Sequence, residues 1–134
     1  MIKKGLALLL NKFRGLDNKT KQFVYGFLMQ DSLSLTIITN NAPPETFCRV
    51  ETNSVGQFIG LLDKNKTEIY TGDILKNNFG ELFLCGYGKE EASFYLLDNV
   101  LRTHYFKDDS DEYEVMGNEI QNPNLFNTYW QIVK

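Results

Sequence analysis

The sequence has few of the residues on which metal centres and thiol chemistry depend. Among its 134 residues are one histidine, two cysteines and three prolines. Zinc sites take three or four protein ligands, and no acidic or thiol residue lies at ligand spacing from His104, so we expect no zinc site there. Cys48 and Cys85 each lie in a strand-like run. They are expected to be buried free thiols of a cytoplasmic protein.

Long hydrophobic runs are also missing. The N-terminal sequence MIKKGLALLL resembles a signal peptide, but its apolar run covers only Leu6 to Leu10 and no small-residue cleavage site follows it. No stretch approaches the ~20 apolar residues of a membrane span. We therefore expect a protein with no leader and no membrane partner.

The motifs of the common cofactor enzymes are absent. The sequence has no phosphate-binding loop, no dinucleotide fingerprint and no nucleophile elbow. The acidic stretches at 63–68 and 108–114 lack the glycine of a calcium-binding loop. We therefore expect no cofactor, no dedicated metal site and no enzymatic activity, while adventitious calcium binding by the acidic loop 108–114 stays open. A hydrolase-like reaction through Asp73, Glu68 or His104 is an alternative without a visible general base.

Charge of opposite sign is concentrated in different parts of the chain. The net charge is −3, but six of the 14 basic residues and only one of the 17 acidic residues occur up to Lys21. A segment of charge +5 therefore precedes a remainder of charge −8. Its basic residues are interspersed with Phe13, Phe23 and Tyr25. The candidate interaction surface comprises Lys12, Arg14, Lys19 and Lys21.

This asymmetry has competing interpretations. The basic segment either docks onto the acidic body of a neighbouring subunit, forming a closed homo-oligomer, or folds back on its own body. A third interpretation is a small barrel that offers basic and aromatic side chains to a single-stranded nucleic acid, which the negative net charge disfavours. We favour a protein partner or self-association.

Short apolar runs separated by turn residues dominate the chain. From Phe58 onward they recur about every ten residues, which is typical of an antiparallel meander, sandwich or small barrel. Phe23, Tyr25 and Phe27 alternate with Val24 and Leu28 in a predicted strand from Gln22 to Met29, where Gly26 predicts a bulge or a bend. The sequence predicts a mainly β single domain over residues 1–134, an antiparallel barrel- or sandwich-like fold, with a short N-terminal helix at 2–10 and a last strand at 129–133.

The stretch from Phe58 to Lys76, FIGLLDKNKTEIYTGDILK, is the most informative part of the sequence. A strand ends at the polar turn beginning with Asp63, and Ile69 and Tyr70 resume the apolar pattern. Gly72 and Asp73 then predict a sharp corner, because glycine tolerates positive φ and an aspartate oxygen accepts nearby backbone N–H groups.

This stretch resembles the signature of the YopX family of phage and prophage proteins. Two weaker similarities flank it: Lys12-Phe13-Arg14 with Asp17, and Gly117-Asn118 followed by Asn122-Pro123 and Leu125. The residues that match the central signature without a gap are Gly60, Leu61, Asp63, Lys64, Asn65, Glu68, Ile69, Tyr70, Gly72, Asp73 and Ile74.

The sequence departs from the family pattern at two positions. Lys66 replaces a usual glycine, so a different turn type is expected, and Leu16 replaces a usual tryptophan. The resemblance implies a mostly β fold and a phage accessory protein in the cytoplasm of a bacterial host, without a settled activity.

We expect the matching residues to be mainly structural, although Glu68 and Tyr70 are alternatives for presentation to a partner. In the structural interpretation, Gly60, Gly72 and Asp73 set turns and Ile69 and Tyr70 pack, while Gly117, Asn118, Asn122 and Pro123 shape the C-terminal loop.

Overall fold

The fold is built from short antiparallel strands, as the alternation of apolar and polar residues predicts. The computed structural model describes residues 12–30, 34–39, 46–106 and 112–126. The predicted helix at 2–10 and the predicted strand at 129–133 lie outside the described residues. No helix within these four ranges is long and apolar enough to cross a membrane. The mainly β fold class is confirmed.

The described ranges contain eleven strands and one turn of 3-10 helix at Thr52–Ser54. The strands are β1 Phe13–Leu16, β2 Phe23–Gln30, β3 Leu35–Thr39, β4 Thr46–Val50, β5 Gly56–Leu62, β6 Glu68–Tyr70, β7 Asp73–Lys76, β8 Leu82–Gly88, β9 Ser93–Leu97, β10 Thr103–His104 and β11 Glu114–Asn118.

The chain divides into two compact units, residues 1–60 and 61–134. No proline- or glycine-rich linker marks this division in the sequence, and the single domain predicted over residues 1–134 stays a prediction. Strand β5 runs through the division and ends at Leu62. A turn at 63–67 then leads into β6.

Strands of the first unit form a partly closed barrel. Their order is β4-β3-β2-β1-β5, and every described pairing is antiparallel. An isolated bridge between Asp17 and Val50 brings the chain after β1 back to β4. Gly15 permits this closure, since a Cβ there would lie 2.9 Å from the Val50 side chain. The partial barrel expected from the strand spacing is thus present in this unit.

Strand β2 corrects one prediction. Gly26 forms no bulge: it pairs with Phe13 on one side and Thr39 on the other in unbroken register. The ladder with β1 ends at Gly26 and the ladder with β3 begins there, and neither shifts register at this residue. The bulge lies instead in β11, between Val115 and Gly117.

The second unit contains a five-stranded antiparallel sheet in the order β10-β9-β8-β7-β11. Alternate residues of its strands fill the core because successive side chains of a strand point to opposite faces. Phe83 and Tyr113 meet edge to face, with ring centroids 6.2 Å apart. The most deeply buried apolar residues are Ile69, Tyr70, Ile74, Leu75, Cys85 and Leu96.

Three hairpin turns of the second unit, at 63–67, 77–81 and 98–102, share one geometry. One side-chain oxygen of the first residue, an Asp or Asn, accepts the N–H groups of the third and fifth residues at 2.8–3.0 Å. The fourth residue donates its N–H to the carbonyl of the first. It has positive φ in every case: 66° at Lys66, 81° at Gly80 and 67° at Leu101. Lys66 therefore adopts the positive φ that Gly80 adopts at the same position of its turn, and a different turn type from the rest of the family stays a prediction.

Replacing Lys66 by glycine should stabilise the protein. A side chain at positive φ costs about 1–2 kcal/mol, and the greater freedom of glycine in the unfolded chain offsets about half of this. We expect Lys66→Gly to raise the free energy of unfolding by about 0.5–1 kcal/mol in urea denaturation.

Two control variants separate backbone strain from charge. Lys66→Ala removes the ammonium group but keeps a Cβ at positive φ, so it should give no comparable gain. Gly80→Ala should destabilise by about 1 kcal/mol through backbone strain alone, because no atom lies within 4 Å of a Cβ at this position. Equal stabilities of Lys66→Gly and Lys66→Ala would contradict this account.

Candidate functional site

The Asp63 carboxylate links the central signature to the C-terminal strand. It is 2% exposed, and Oδ1 accepts the N–H groups of Asn65 and Thr67, both at 2.8 Å. Oδ2 accepts the N–H of Val115 in β11 at 2.9 Å. Because both oxygens serve backbone donors, this carboxylate holds a turn and attaches a strand to it.

Tyr70 and Ile69 lie in the core of the second unit, which supports the packing role predicted for them. The Tyr70 hydroxyl donates to Glu68 Oε1 at 3.0 Å, and Glu68 is half-buried. This geometry favours packing for Tyr70 over presentation to a partner. Gly60 was predicted to set a turn, but it lies within β5, where its φ of 89° suits glycine.

The corner at Gly72 and Asp73 carries the chain from β6 into β7. Asp73 is buried, and its Oδ2 accepts the N–H of Tyr70 at 2.8 Å. Gly72 has a φ of 94°, donates its N–H to the carbonyl of Cys85 and accepts the N–H of Glu119. Backbone groups from two other parts of the unit therefore meet at this corner.

The C-terminal signature closes the same corner. Register places Gly117 opposite Ile74 and Asn118 opposite Asp73. The Asn118 side-chain oxygen accepts the N–H groups of residues 120 and 121, and the Asn122 side-chain oxygen accepts the N–H of Asn118 at 3.1 Å. A Cβ on Gly117 would lie 2.5 Å from that Asn122 oxygen. Pro123 follows in an exposed turn.

Two of the predicted surface cations lie over aromatic rings. The Lys12 ammonium nitrogen is 5.6 Å from the ring centroid of Phe58, and the Arg14 guanidinium carbon is 4.6 Å from that of Phe23. Both are cation–π distances. Arg14 is buried and Lys12 half-buried, so Arg14 contributes packing here and offers no exposed charge. In the sequence, the alternation of aromatic and basic residues in this segment was the feature that could have predicted these cation–π contacts.

Lys19 and Lys21 are exposed on the turn after β1. Lys21 pairs with Glu51, with Nζ 3.2 Å from the carboxylate oxygen. Lys19 lies beside a groove of about 560 Å³ lined by Asp17, Asn18, Lys19, Phe47, Cys48 and Arg49.

The Cys48 thiol in this groove is a poor nucleophile. Burial raises its pKa, and the charge of Asp17 together with a hydrogen bond to that carboxylate raises it further. A low-pKa thiolate is what cysteine chemistry requires. Cys48 is half-buried and Cys85 buried, and both are free. The described residues bring no three His, Cys, Asp or Glu side chains together in a metal-binding arrangement.

His104 has an acidic partner that sequence spacing did not reveal. Its Nε2 lies 2.9 Å from Asp98 Oδ2, because the turn at 98–102 folds β10 back beside β9. The imidazole also packs edge to face on Phe83, with centroids 5.4 Å apart. Within the described ranges, His104 and Asp98 form no hydrogen bond with the side chain of a serine, threonine or cysteine, which is the nucleophile that a catalytic triad adds to such a pair.

A surface recess of about 420 Å³ lies beside two of the turns of the second unit. The turn at 77–81 projects Phe79, which is 87% exposed, and the turn at 98–102 exposes Val100 and Leu101. The sequence identified both turns but gave no signal that apolar side chains would be displayed there. The recess is lined by Gly80, Glu81, Leu82, Asp98, Asn99, Arg102, Leu125 and Phe126.

Comparison with known proteins identifies a family that the sequence matches and a solved structure with a similar fold. A family model described as YopX protein matches residues 12–127. No curated protein matches the sequence. The chain is similar in fold to the crystal structure of protein EF1440 from Enterococcus faecalis, with a TM-score of 0.54 and 22% identity over 87% of this chain and 97% of that one.

Replacing Asp63 by asparagine should destabilise the second unit strongly. The amide retains one acceptor oxygen and turns an NH₂ group toward either Val115 or the turn, leaving a buried N–H without an acceptor. We expect a loss of about 2–3 kcal/mol in urea denaturation. The matched change Asp98→Asn, in the same type of turn but with the second oxygen facing an exposed histidine, should cost less than Asp63→Asn does. Equal losses of unfolding free energy in the two variants would show that the second oxygen of Asp63 contributes little to stability.

The Asp98 carboxyl should make stability depend on acid pH. Burial raises its pKa, but hydrogen bonds from His104 and from the N–H groups of Arg102 and Val100 outweigh this and lower the pKa to about 2. Since the folded pKa lies below the unfolded value, the stabilisation is present above about pH 4. It is lost as the pH falls toward 2. The difference in stability between wild type and Asp98→Asn should shrink over this interval, and a constant difference would contradict the assignment.

Proposed function

Because this chain belongs to the YopX family, we propose that it is a non-enzymatic phage or prophage accessory protein of the bacterial cytoplasm that acts through protein–protein contacts and self-association. The polar atoms of its signature residues support a role without catalysis. The carboxylates of Asp63 and Asp73 and the side chain of Asn118 accept backbone N–H groups within the second unit. These residues build a scaffold that presents other side chains.

The observation that carries this proposal is the exposure of Phe79 on a rigid turn. The Asn77 oxygen accepts the N–H of Phe79 at 3.0 Å and that of Glu81 at 2.9 Å, while its NH₂ group donates to the Glu81 carboxylate at 2.9 Å. An aromatic ring held in this way loses little conformational entropy on binding. Large aromatic anchors of this kind dominate the energy of protein interfaces.

The recess beside this turn completes a self-complementary surface. Gly80, the residue after Phe79, lines the recess, and Leu125 and Phe126 give it an apolar part. Glu81 and Arg102 add charged groups to its lining. A projecting ring and a recess on one patch suit a two-fold interface, in which each copy inserts Phe79 into the other.

Charge offers a second mode of association. Residues 1–60 contain seven of the 14 basic and four of the 17 acidic residues, so the first unit carries +3 and the second −6. The basic segment of one copy would then bind the acidic unit of another. Such contacts weaken as salt screens them, whereas burial of Phe79 does not depend on screening.

Light scattering after size exclusion tests self-association through Phe79. We expect the wild type to exceed the monomer mass of 15.5 kDa as its concentration rises. Phe79→Ala should weaken association at least tenfold. Tyr87→Ala, at another exposed aromatic of the second unit, is the matched control and should leave the mass unchanged.

Salt and truncation separate the two modes. Association through Phe79 persists at high salt, while association through the basic segment is lost there and on deletion of Met1 to Asn11. If that segment instead folds back on its own body, the deletion lowers stability without changing mass. A monomer at every concentration, in low and high salt, would refute self-association.

A further inference from the structure

The outer face of the barrel in the first unit displays aromatic side chains on neighbouring strands. Tyr25 and Phe27 of β2 are 36% and 41% exposed, and Phe47 of β4 is 63% exposed. Register across β3 places Phe27 and Phe47 in one row, and Tyr25 lies two residues before Phe27 on the same face. Three partly uncovered rings therefore share one side of a small sheet.

Cations adjoin the end of this aromatic row. Arg49 lies two residues after Phe47 and thus on the same face of β4. Lys19 belongs to the turn after β1, which is fixed to β4 by the hydrogen bond from the Asn18 N–H to the Arg49 carbonyl at 2.9 Å. Both cations line the groove of about 560 Å³ into which Phe47 also projects.

The one carboxylate in this groove is already engaged. Asp17 Oδ1 accepts the N–H groups of Lys19 at 2.7 Å and Thr20 at 3.4 Å. No carboxylate within the described ranges lies within ion-pair distance of the Arg49 side chain. Asp17 keeps its negative charge, but Lys19 and Arg49 together outweigh it, so the groove has a net charge of +1 to attract an anion from outside.

We propose that this face binds single-stranded nucleic acid, with bases stacked on Phe47 and Phe27 and phosphates held by Arg49 and Lys19. Proteins that bind single strands without sequence preference combine a cationic groove with aromatic stacking positions in this way. This function goes beyond the protein contacts proposed for the second unit.

The chemistry of the face favours a nucleic acid over a protein. An apolar protein surface would bury the rings but strip water from the cations of Lys19 and Arg49, which is costly. An acidic polypeptide would neutralise the cations but leave the exposed rings uncovered. A single strand supplies flat bases and phosphates together, at a repeat short enough to reach from the rings to Arg49 and Lys19.

Fluorescence anisotropy with a labelled 15-nucleotide thymidine strand tests the proposal. The reference probe is an abasic strand of the same length, which has the same phosphates and no bases. We expect the thymidine strand to bind at least tenfold more tightly, because each stacked base contributes to affinity. Affinity for both strands should fall linearly with the logarithm of salt concentration.

Two variants assign the roles of ring and cation. Phe47→Ala should remove most of the advantage of thymidine over the abasic strand and leave the salt slope unchanged. Arg49→Gln should weaken both strands and reduce the salt slope by about 0.7, the contribution of one phosphate contact. Tyr87→Ala and Lys89→Gln, exposed residues of the acidic second unit, are the matched controls and should bind as the wild type does. Phe27→Ala tests base stacking in the same way at the aromatic ring of β2.

Three outcomes would overturn the proposal. One is the absence of binding at low salt by a folded wild-type protein. Another is equal affinity for thymidine and abasic strands, with displacement of both by polyglutamate, which would show a general anion site. The third is a fall in molar mass for Phe47→Ala without an effect on either strand, which would identify the face as a contact between copies. Since the proposed self-association depends on Phe79, either function can fail without the other.

Discussion

A buried carboxylate with three backbone donors organises the second unit. Without the Asp63 oxygens, the N–H groups of Asn65, Thr67 and Val115 would lose their acceptors in a half-buried setting, where each lost hydrogen bond costs about 1–3 kcal/mol. The same hydrogen bonds recur in the turns at 77–81 and 98–102, where the side-chain oxygen of the first residue accepts two backbone N–H groups of the turn. Side chains at the third position of these two loops, Phe79 and Val100, need no packing partner to keep the loop ordered.

This arrangement explains why the family signature contains turn residues and buried groups. The corner at Gly72 and Asp73, the bulge before Gly117 and the loop closed by Asn122 all supply partners for backbone groups at strand ends. Candidate contact residues lie elsewhere: on the turns at 77–81 and 98–102 of the second unit, and on the outer face of β2 and β4 in the first unit. Scaffold and surface therefore use different residues, so a surface can change without disturbing the scaffold.

Much of the fold follows from local rules, and the exceptions have identifiable causes. Alternating apolar residues and turn formers predicted the strands, the turns at Asp63 and Asn77 and the corner at Gly72. Burial was less predictable: Arg14 lies buried over Phe23, while Phe79 is exposed, because burial depends on what packs opposite. The sequence did not predict the Asp98–His104 pair, because the two residues are six positions apart and only the turn between them brings their side chains together. Gly26 resembled a bulge residue, but the ladders with β1 and β3, which meet at this residue, both keep their register.

Amide hydrogen exchange measured residue by residue tests the role of the Asp63 carboxylate most directly. If it holds both the turn and β11, the amides of Asn65, Thr67 and Val115 exchange slowly and together, at the rate of the neighbouring strands. Exchange of Thr67 and Val115 as fast as in an unstructured chain, while β7 and β8 remain protected, would contradict the account.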